Sequence, residues 1–436
     1  MCISCLFVGA FPVHANETDQ YNLPPKPLAD IAPEVEAYVV QKIQTAIDKL
    51  NEQILAHERC LRPLPSAAFG RRAGSTEIVE APPRKPAGCG GVEQEQAKLI
   101  TLRSPDAVAR AVYDQLGAGN IFISDTGKWL NTHKFEHEPS RYTTSYGDSI
   151  YVSAPVDYAT ISPTIRVYGV EFGTDKFDHL FQQGYTYYRK YNAAKKAGKT
   201  DAEALKTVVA YGRFTENTFF GYTVSGVYSN ADLAANIAGL KFYQNLANEV
   251  VLGTTTRPAI FRWADDHWQF SNWTGMCSET FLDECFRGGT TSMTIIPEMV
   301  RSLLLSKGEP IASPTGTQAP SPATPDASSG GTASTPKTPE SQTQILRPFI
   351  SDHLNEALNP SNYLFFLYPV VRSVVQKRAC PEWRAAYPNA TRDEFTTRTA
   401  ALTTWNGLDY GYKQTSRQVR LANTCFPDPK GPVPKE

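Results

Sequence analysis

The side chains of this chain best suited to chemistry fall between residues 171 and 248. Asp175 and His179 stand one helical turn apart, close enough to share one divalent metal ion or one hydrogen bond. Lys176 lies between them and Glu171 a turn earlier. Arg213 and Glu216 follow, and then Asp232 and Asn236, again four positions apart. A buried carboxylate with a raised pKa suits acid–base work at neutral pH. On that reading Glu216 is a general base or metal ligand, and Asp175, His179 and Asp232 are ligands or orienting groups. Glu171, Lys176, Asn236 and Arg213 are binding residues.

Three helices have to position these groups, and periodicity predicts them at residues 171–191, 201–220 and 231–248. Thr200 with Glu203, and Ser229 with Asp232, have capping-box spacing and mark the second and third starts. At about 100° per residue, Leu205, Val208, Val209, Phe219 and Phe220 share one face of the second helix. Glu216 falls near the middle of that face, with Arg213 beside it. The third helix has a broad apolar face of Leu233, Ile237, Leu240, Phe242 and Leu246, with Asp232 and Asn236 inside it. A carboxylate on an apolar face is costly unless paired, hydrogen-bonded or metal-bound. The first helix sets Glu171, Asp175, Asp178 and Gln182 opposite a stripe of Phe177, Leu180, Phe181 and Tyr188. Periodicity alone reads that acidic side as a solvated face. A central position for the helix would make it the wall of a polar cleft.

Each residue also has a plainer role. Asp232 can belong only to its cap, Glu216 can pair with Arg213 or Lys176, Asn236 can bond a loop backbone, and His179 can be a satisfied core histidine. Two functions therefore stay open. One is a hydrolase, which needs Glu216, Asp232 and His179 on a cleft open to solvent. The other is a non-enzymatic structural or binding protein, in which the same residues form a closed network that sets helix register.

The stretch Gly173-Thr174-Asp175-Lys176-Phe177-Asp178-His179-Leu180-Phe181-Gln182-Gln183-Gly184 resembles a block of exported bacterial proteins of unknown function, GTDK-x-x-H-F-F-x-Q-G. Arg213-Phe214-Thr215-Glu216, Ser229 to Asn236, and Leu354-Asn355-Glu356-Ala357-Leu358-Asn359-Pro360 resemble later blocks of the same proteins. A weaker likeness runs to VanZ-like envelope proteins, which carry D-K-x-x-H on one helix; the helices here are more polar. The resemblance implies export and this order of blocks, and no particular reaction.

Other clusters are less specific. His133 and His137 have zincin spacing, but Glu136 comes too late for that motif and Pro139 follows, so a solvated loop is expected. Asp265, Asp266 and His267 between Trp263 and Trp268 read as a surface turn. The chain has no G-x-S-x-G elbow or P-loop, and only a faint transglycosylase echo at Asn236-Ile237-Ala238-Gly239.

The bulk properties frame these readings. The chain has 436 residues and a formal net charge of -1, with no basic stripe to hold nucleic acid. No stretch reaches the roughly 20 apolar residues of a membrane span. Residues 1–15 read as a signal peptide ending at Val13-His14-Ala15, although the basic n-region is missing. Six cysteines remain after it, an even set suited to an oxidising space. Pairing sequence neighbours gives Cys60–Cys89, Cys277–Cys285 and Cys380–Cys425. The expected fold class is mainly α, with some irregular or short-strand segments, stapled by disulfides. A helical body at residues 16–307 precedes a Pro/Ser/Thr/Ala-rich linker at 308–344, and a helical segment at 345–436 packs back on the body. The expected compartment is periplasmic, outer-envelope or extracellular. The expected partner is an envelope component, a small molecule or a glycan.

Overall fold

The apolar residues Val35, Val39, Ile43, Ile47, Leu50 and Ile54 recur at helical spacing and build α1 (Ala32–Leu61), where all of them are buried. The computed structural model describes residues 17–62, 69–71, 78–80, 88–120, 123–152, 161–218, 220–223, 225–271 and 344–426. The strands β1 (Phe69–Arg71) and β2 (Ile78–Glu80) pair antiparallel. The helices α2 (Val92–Leu102) and α3 (Pro105–Leu116) then return onto α1. The Ser104 hydroxyl caps α3, with proline in the first turn, as its sequence predicts. Periodicity misses α2, because Leu99 is its one buried apolar side chain and a stripe needs several.

After α4 (Asp125–Thr132), strands β3 (Thr164–Val167) and β4 (Val170–Gly173) form a hairpin. Tyr168 and Gly169 both take positive φ at its turn, the geometry that matches strand twist. This hairpin corrects the first expected helix. Glu171 lies on β4, paired across from Arg166, so the helix cannot include it. The helix begins as α5 (Asp175–Asp178), passes through one π turn at His179–Gln183, and continues as α6 (Gly184–Lys196). The second helix, α7 (Asp201–Asn217), starts at the Thr200–Glu203 capping box and stops short of residue 220.

The third helix, α8 (Asn230–Asn245), is the axis of the fold, since nearly all of its residues are buried. Its small hydrophobic asymmetry is that of a helix enclosed on all sides. A Cβ on Gly239 would lie 2.0 Å from the Leu180 carbonyl oxygen and 2.7 Å from the Gly184 Cα. The two backbones therefore touch there, and only glycine permits the approach. This contact sets the depth at which the π turn meets α8.

Two hairpins follow, β6 (Val250–Leu252) with β7 (Thr255–Arg257) and β8 (Phe261–Ala264) with β9 (His267–Phe270). Asp265 and Asp266 are the positive-φ residues of the second turn. Cys277, Cys285, residues 308–343 of the expected linker, and the expected signal peptide lie outside the described residues.

Residues beyond 346 share one compact unit with the helical body. Strand β10 (Asn362–Tyr363) pairs antiparallel with β5 (Val227–Tyr228), directly before α8. Tyr21, Val227, Tyr363, Val371, Trp383 and Phe395 meet in one apolar cluster with the Cys380–Cys425 disulfide. Cys60 and Cys89 form the other disulfide among the described residues. The apolar run at residues 363–375 forms a strand, a turn and a helix at Tyr368–Val374. Pro369 sits in that helix's first turn because its ring clashes in a helix interior. Phe365 and Phe366 are left exposed. The leader segment ahead of α1 is buried over Glu17, Thr18, Asp19, Gln20 and Tyr21. No helix among the described residues is long and apolar enough to cross a membrane.

Candidate functional site: a buried lysine–carboxylate cluster

Three elements and one distant turn bring the cluster together. Thr174 and Gly173 end β4, and α5 begins at once with Asp175 and Lys176. A Cβ on Gly173 would fall 2.1 Å from Asp175 Oδ1 and 1.9 Å from Thr18 Oγ1, so glycine makes room for both side chains. Lys176 is completely buried. Its ammonium lies 2.7 Å from Asp175 Oδ2, 2.5 Å from Asp232 Oδ1 and 2.6 Å from Glu356 Oε1. An ammonium has three N–H donors, and here each has its own carboxylate.

The N-terminus of α8 supplies the second layer. Ser229 caps it by accepting from the Asp232 amide at 3.0 Å. The reciprocal half of the expected capping box is absent, because the Asp232 carboxylate turns to Lys176 and His179. Glu216 takes that place and accepts from the Ser229 amide at 3.1 Å. The Ser229 hydroxyl donates to Glu356 at 2.7 Å, and Ser361 donates to the other Glu356 oxygen. The positive end of the helix dipole thus faces three carboxylates, the sign that stabilises them. Thr18 donates to Asp175 at 2.6 Å, and the Gln20 side chain accepts from the Glu356 amide.

His179 closes the outer edge. Its Nε2 lies 3.2 Å from Asp232 Oδ2 and its Nδ1 lies 3.1 Å from Asn236 Oδ1. Its side chain is 15% exposed, against 0–4% for Lys176, Asp175, Asp232 and Glu356. Both ring nitrogens are engaged by α8. Asn236 also donates to the Tyr187 hydroxyl at 3.3 Å.

The charges settle unequally. Burial pushes Lys176 down, but Asp175, Asp232 and Glu356 outweigh it and hold the ammonium well above its ordinary range. Burial pushes Asp232 up, but His179 and Lys176 bring it below the ordinary carboxyl range. Glu216 goes the other way: burial, and then the charge of Asp232, push it well above. Glu356 is also raised by burial, with Lys176 opposing. The cluster therefore holds carboxyls shifted in opposite directions side by side.

The ligand atoms of Asp175, His179 and Asp232 all lie within 4.8 Å of one another, and so do those of Glu17, Asp232 and Glu356. Each set has the composition of a divalent-metal site. Lys176, however, bonds Asp175, Asp232 and Glu356, members of both sets, so its ammonium takes the place a metal cation would hold.

Several expectations change here. Asp175 and Asp178 do not form a solvated face, since both are buried. Burial pushes Asp178 up to about 7 although the Ser124 amide and hydroxyl both donate to it. Arg213 does not meet Glu216; it is half-exposed and pairs with Asp409 at 3.2 Å. Glu171 lies outside the cluster, and its backbone carbonyl accepts from Asn355. Glu216, Asp232, His179, Asp175, Lys176 and Asn236 do come together. Thr18, Gln20, Ser229 and Glu356 were not anticipated as members. For Glu356 the signal was the Leu354–Pro360 block, an acidic residue among asparagines and prolines beyond the linker. His133 is a surface partner of Glu34, at 3.2 Å, stacked on Trp129.

No family model, no curated protein and no solved structure matches this chain.

Proposed function

We propose that this chain is an exported, non-enzymatic binding protein of the cell envelope, and that the buried cluster is the ionic lock that holds its binding body together. The observation that carries this reading is the Lys176 ammonium, fully buried, with all three donors spent on carboxylates from α5, α8 and the C-terminal segment. Such a closed set ties together segments far apart in sequence. It leaves no ionised group facing solvent where a substrate bond would have to break. Two disulfides and the likeness of residues 173–184 to exported proteins support the compartment.

One observation favours hydrolase chemistry instead. Glu216, pushed above its ordinary range by burial, stands near Asp232, which His179 and Lys176 bring below its own, a pairing that separates acid and base roles. Burial weighs against it, since Glu216 is 1% exposed and Asp232 3%.

The test is metal analysis of the purified full-length protein together with thermal melts in chelator. The lock predicts no stoichiometric metal and an unchanged melting temperature in EDTA. Stoichiometric zinc or manganese, with a melting temperature that falls in EDTA and returns on adding the metal back, would replace the lock by a metal centre.

A further inference from the structure

We infer that the cleft beside the β3–β4 hairpin is a binding site for a neutral saccharide unit. The inference gives the binding body proposed above its ligand, and apart from Gln20, which also accepts from the Glu356 amide, it stands on groups outside the ionic lock. The cleft has a volume of about 240 Å³ and is walled by the buried leader, the hairpin and the C-terminal segment. That is below the roughly 300–1,000 Å³ of pockets for drug-sized ligands, a size suited to one sugar ring.

Two buried polar atoms in this wall lack partners. Gln20 is 3% exposed and lines the cleft. Its Oε1 is engaged by the Glu356 amide, while its Nε2 has no hydrogen-bond partner. Arg166 lines the same cleft, and its Nε is likewise buried and unpartnered. A buried donor without an acceptor costs about 1–3 kcal/mol. Two in one cleft call for a ligand that brings acceptor oxygens.

The charges of the wall indicate that this ligand is uncharged. Arg166 stands across the hairpin from Glu171, and Arg398 is bonded to Asp352 at 2.7 Å. The wall thus carries two cations and two anions, balanced without a charge from the ligand. Carboxylates that still have free lone pairs accept hydroxyl donors, while the Gln20 amide and the Arg166 Nε donate to hydroxyl or carbonyl oxygens. A polyhydroxylated ring offers both donors and acceptors. Burial raises the Glu171 carboxyl above its ordinary range, as suits a group that meets neutral hydroxyls.

The aromatic wall completes the match. Trp383 and Tyr387 stack at 5.4 Å with their planes 14° apart. Trp383 is buried, with its indole N–H bonded to the Tyr21 carbonyl, and Tyr387 is 39% exposed. Both line the cleft. A flat apolar face beside polar groups is what the C–H face of a sugar ring packs against. An acetamido sugar would also use Gln20 and Arg166 through its carbonyl oxygen, and Leu358 through its methyl group.

The experiment is titration of the full-length protein with N-acetylglucosamine, glucose and, as a charged comparison, free glutamate. Calorimetry and intrinsic tryptophan fluorescence read binding. The expected result is saturable binding of at least one sugar, with a fluorescence change and none with glutamate. Tyr387→Ala, at an exposed rim position, should weaken binding about tenfold, equivalent to ~1.4 kcal/mol, without moving the melting temperature. Arg166→Lys removes the Nε donor and keeps the charge, and it should weaken binding similarly. No saturable binding of either sugar by folded protein, binding of glutamate instead, or full affinity in both variants would overturn the assignment. None of these results touches the ionic lock, whose own test is metal content and stability.

Discussion

Replacing Lys176 by methionine removes the ammonium and keeps a flexible chain of similar reach. Asp175, Asp232 and Glu356 then face one another with no cation between them, each at most 4% exposed. Removing one member of a buried ion pair costs about 3–5 kcal/mol, because the abandoned charge stays buried. In a cooperative unit of this size, about 2.1 cal/mol/K of unfolding entropy per residue converts each kcal/mol into about 1.4 °C. The melting temperature of Lys176→Met should therefore fall by about 4–7 °C at neutral pH. The sign of the pH dependence follows from the abandoned carboxyls. With the cation gone their pKa values rise, so the folded state holds protons that the unfolded state releases. Stability then falls as pH rises, and it returns as pH drops toward the ordinary carboxyl range. The deficit should be largest near neutrality and shrink in acid. The assay is scanning calorimetry over a pH series, with Lys196→Met as control. Lys196 pairs with Asp106 at the surface, where such pairs contribute about 0–1 kcal/mol. A Lys176→Met melting temperature within about 1 °C of the parent, or a deficit that ignores pH, would refute the lock.

Three more outcomes follow from the same geometry. Glu216→Gln keeps the acceptor for the Ser229 amide and copies the neutral acid. Parent stability should decline as pH rises above the ordinary glutamate range, because folded Glu216 retains a proton that the unfolded chain gives up. The variant should lack that slope and be the more stable at neutral pH in urea titrations. Asp178 titrates in the folded protein at about 7, so between its ordinary range and 7 the parent loses roughly 4 kcal/mol, at ~1.4 kcal/mol per pH unit. Asp178→Asn, still able to accept from Ser124, should flatten that loss, and a carbonyl NMR titration of the parent should place the midpoint near 7. Gly239→Ala drives a methyl against the Leu180 carbonyl at 2.0 Å. Overpacking at a backbone contact should cost about 1–3 kcal/mol, read as a lower denaturation midpoint with unchanged slope.

Much of this fold is legible in the chain. The α1 stripe and the caps at Ser104 and Thr200 are local signals, and local physics decides them. The conflict between Glu216, Asp232 and the apolar faces around them is also local. A helix face is set by spacing alone, so the sequence determines that these carboxylates must be buried and must find partners. It likewise places Asp175, Lys176 and His179 within one turn.

Tertiary structure decided which partners they found. Helical periodicity takes 171–191 as one helix, but pairing of Arg166 with Glu171 claims the first residues for a strand. The helix that remains packs against both α4 and α8, and this turns an apparent surface into the core. Lys176 meets Asp232 and Glu356 across sequence separations that no local pattern encodes. The contact depends on Gly184 and Gly239 allowing two helices to touch, and on β10 pairing with β5 to carry Glu356 to the start of α8. Arg213 shows the same limit from the other side. Its spacing puts it beside Glu216, yet Asp409 lies within its reach at the surface, where a guanidinium keeps its water. Sequence spacing fixes the direction of a side chain on its own element. What lies in that direction depends on how distant elements pack.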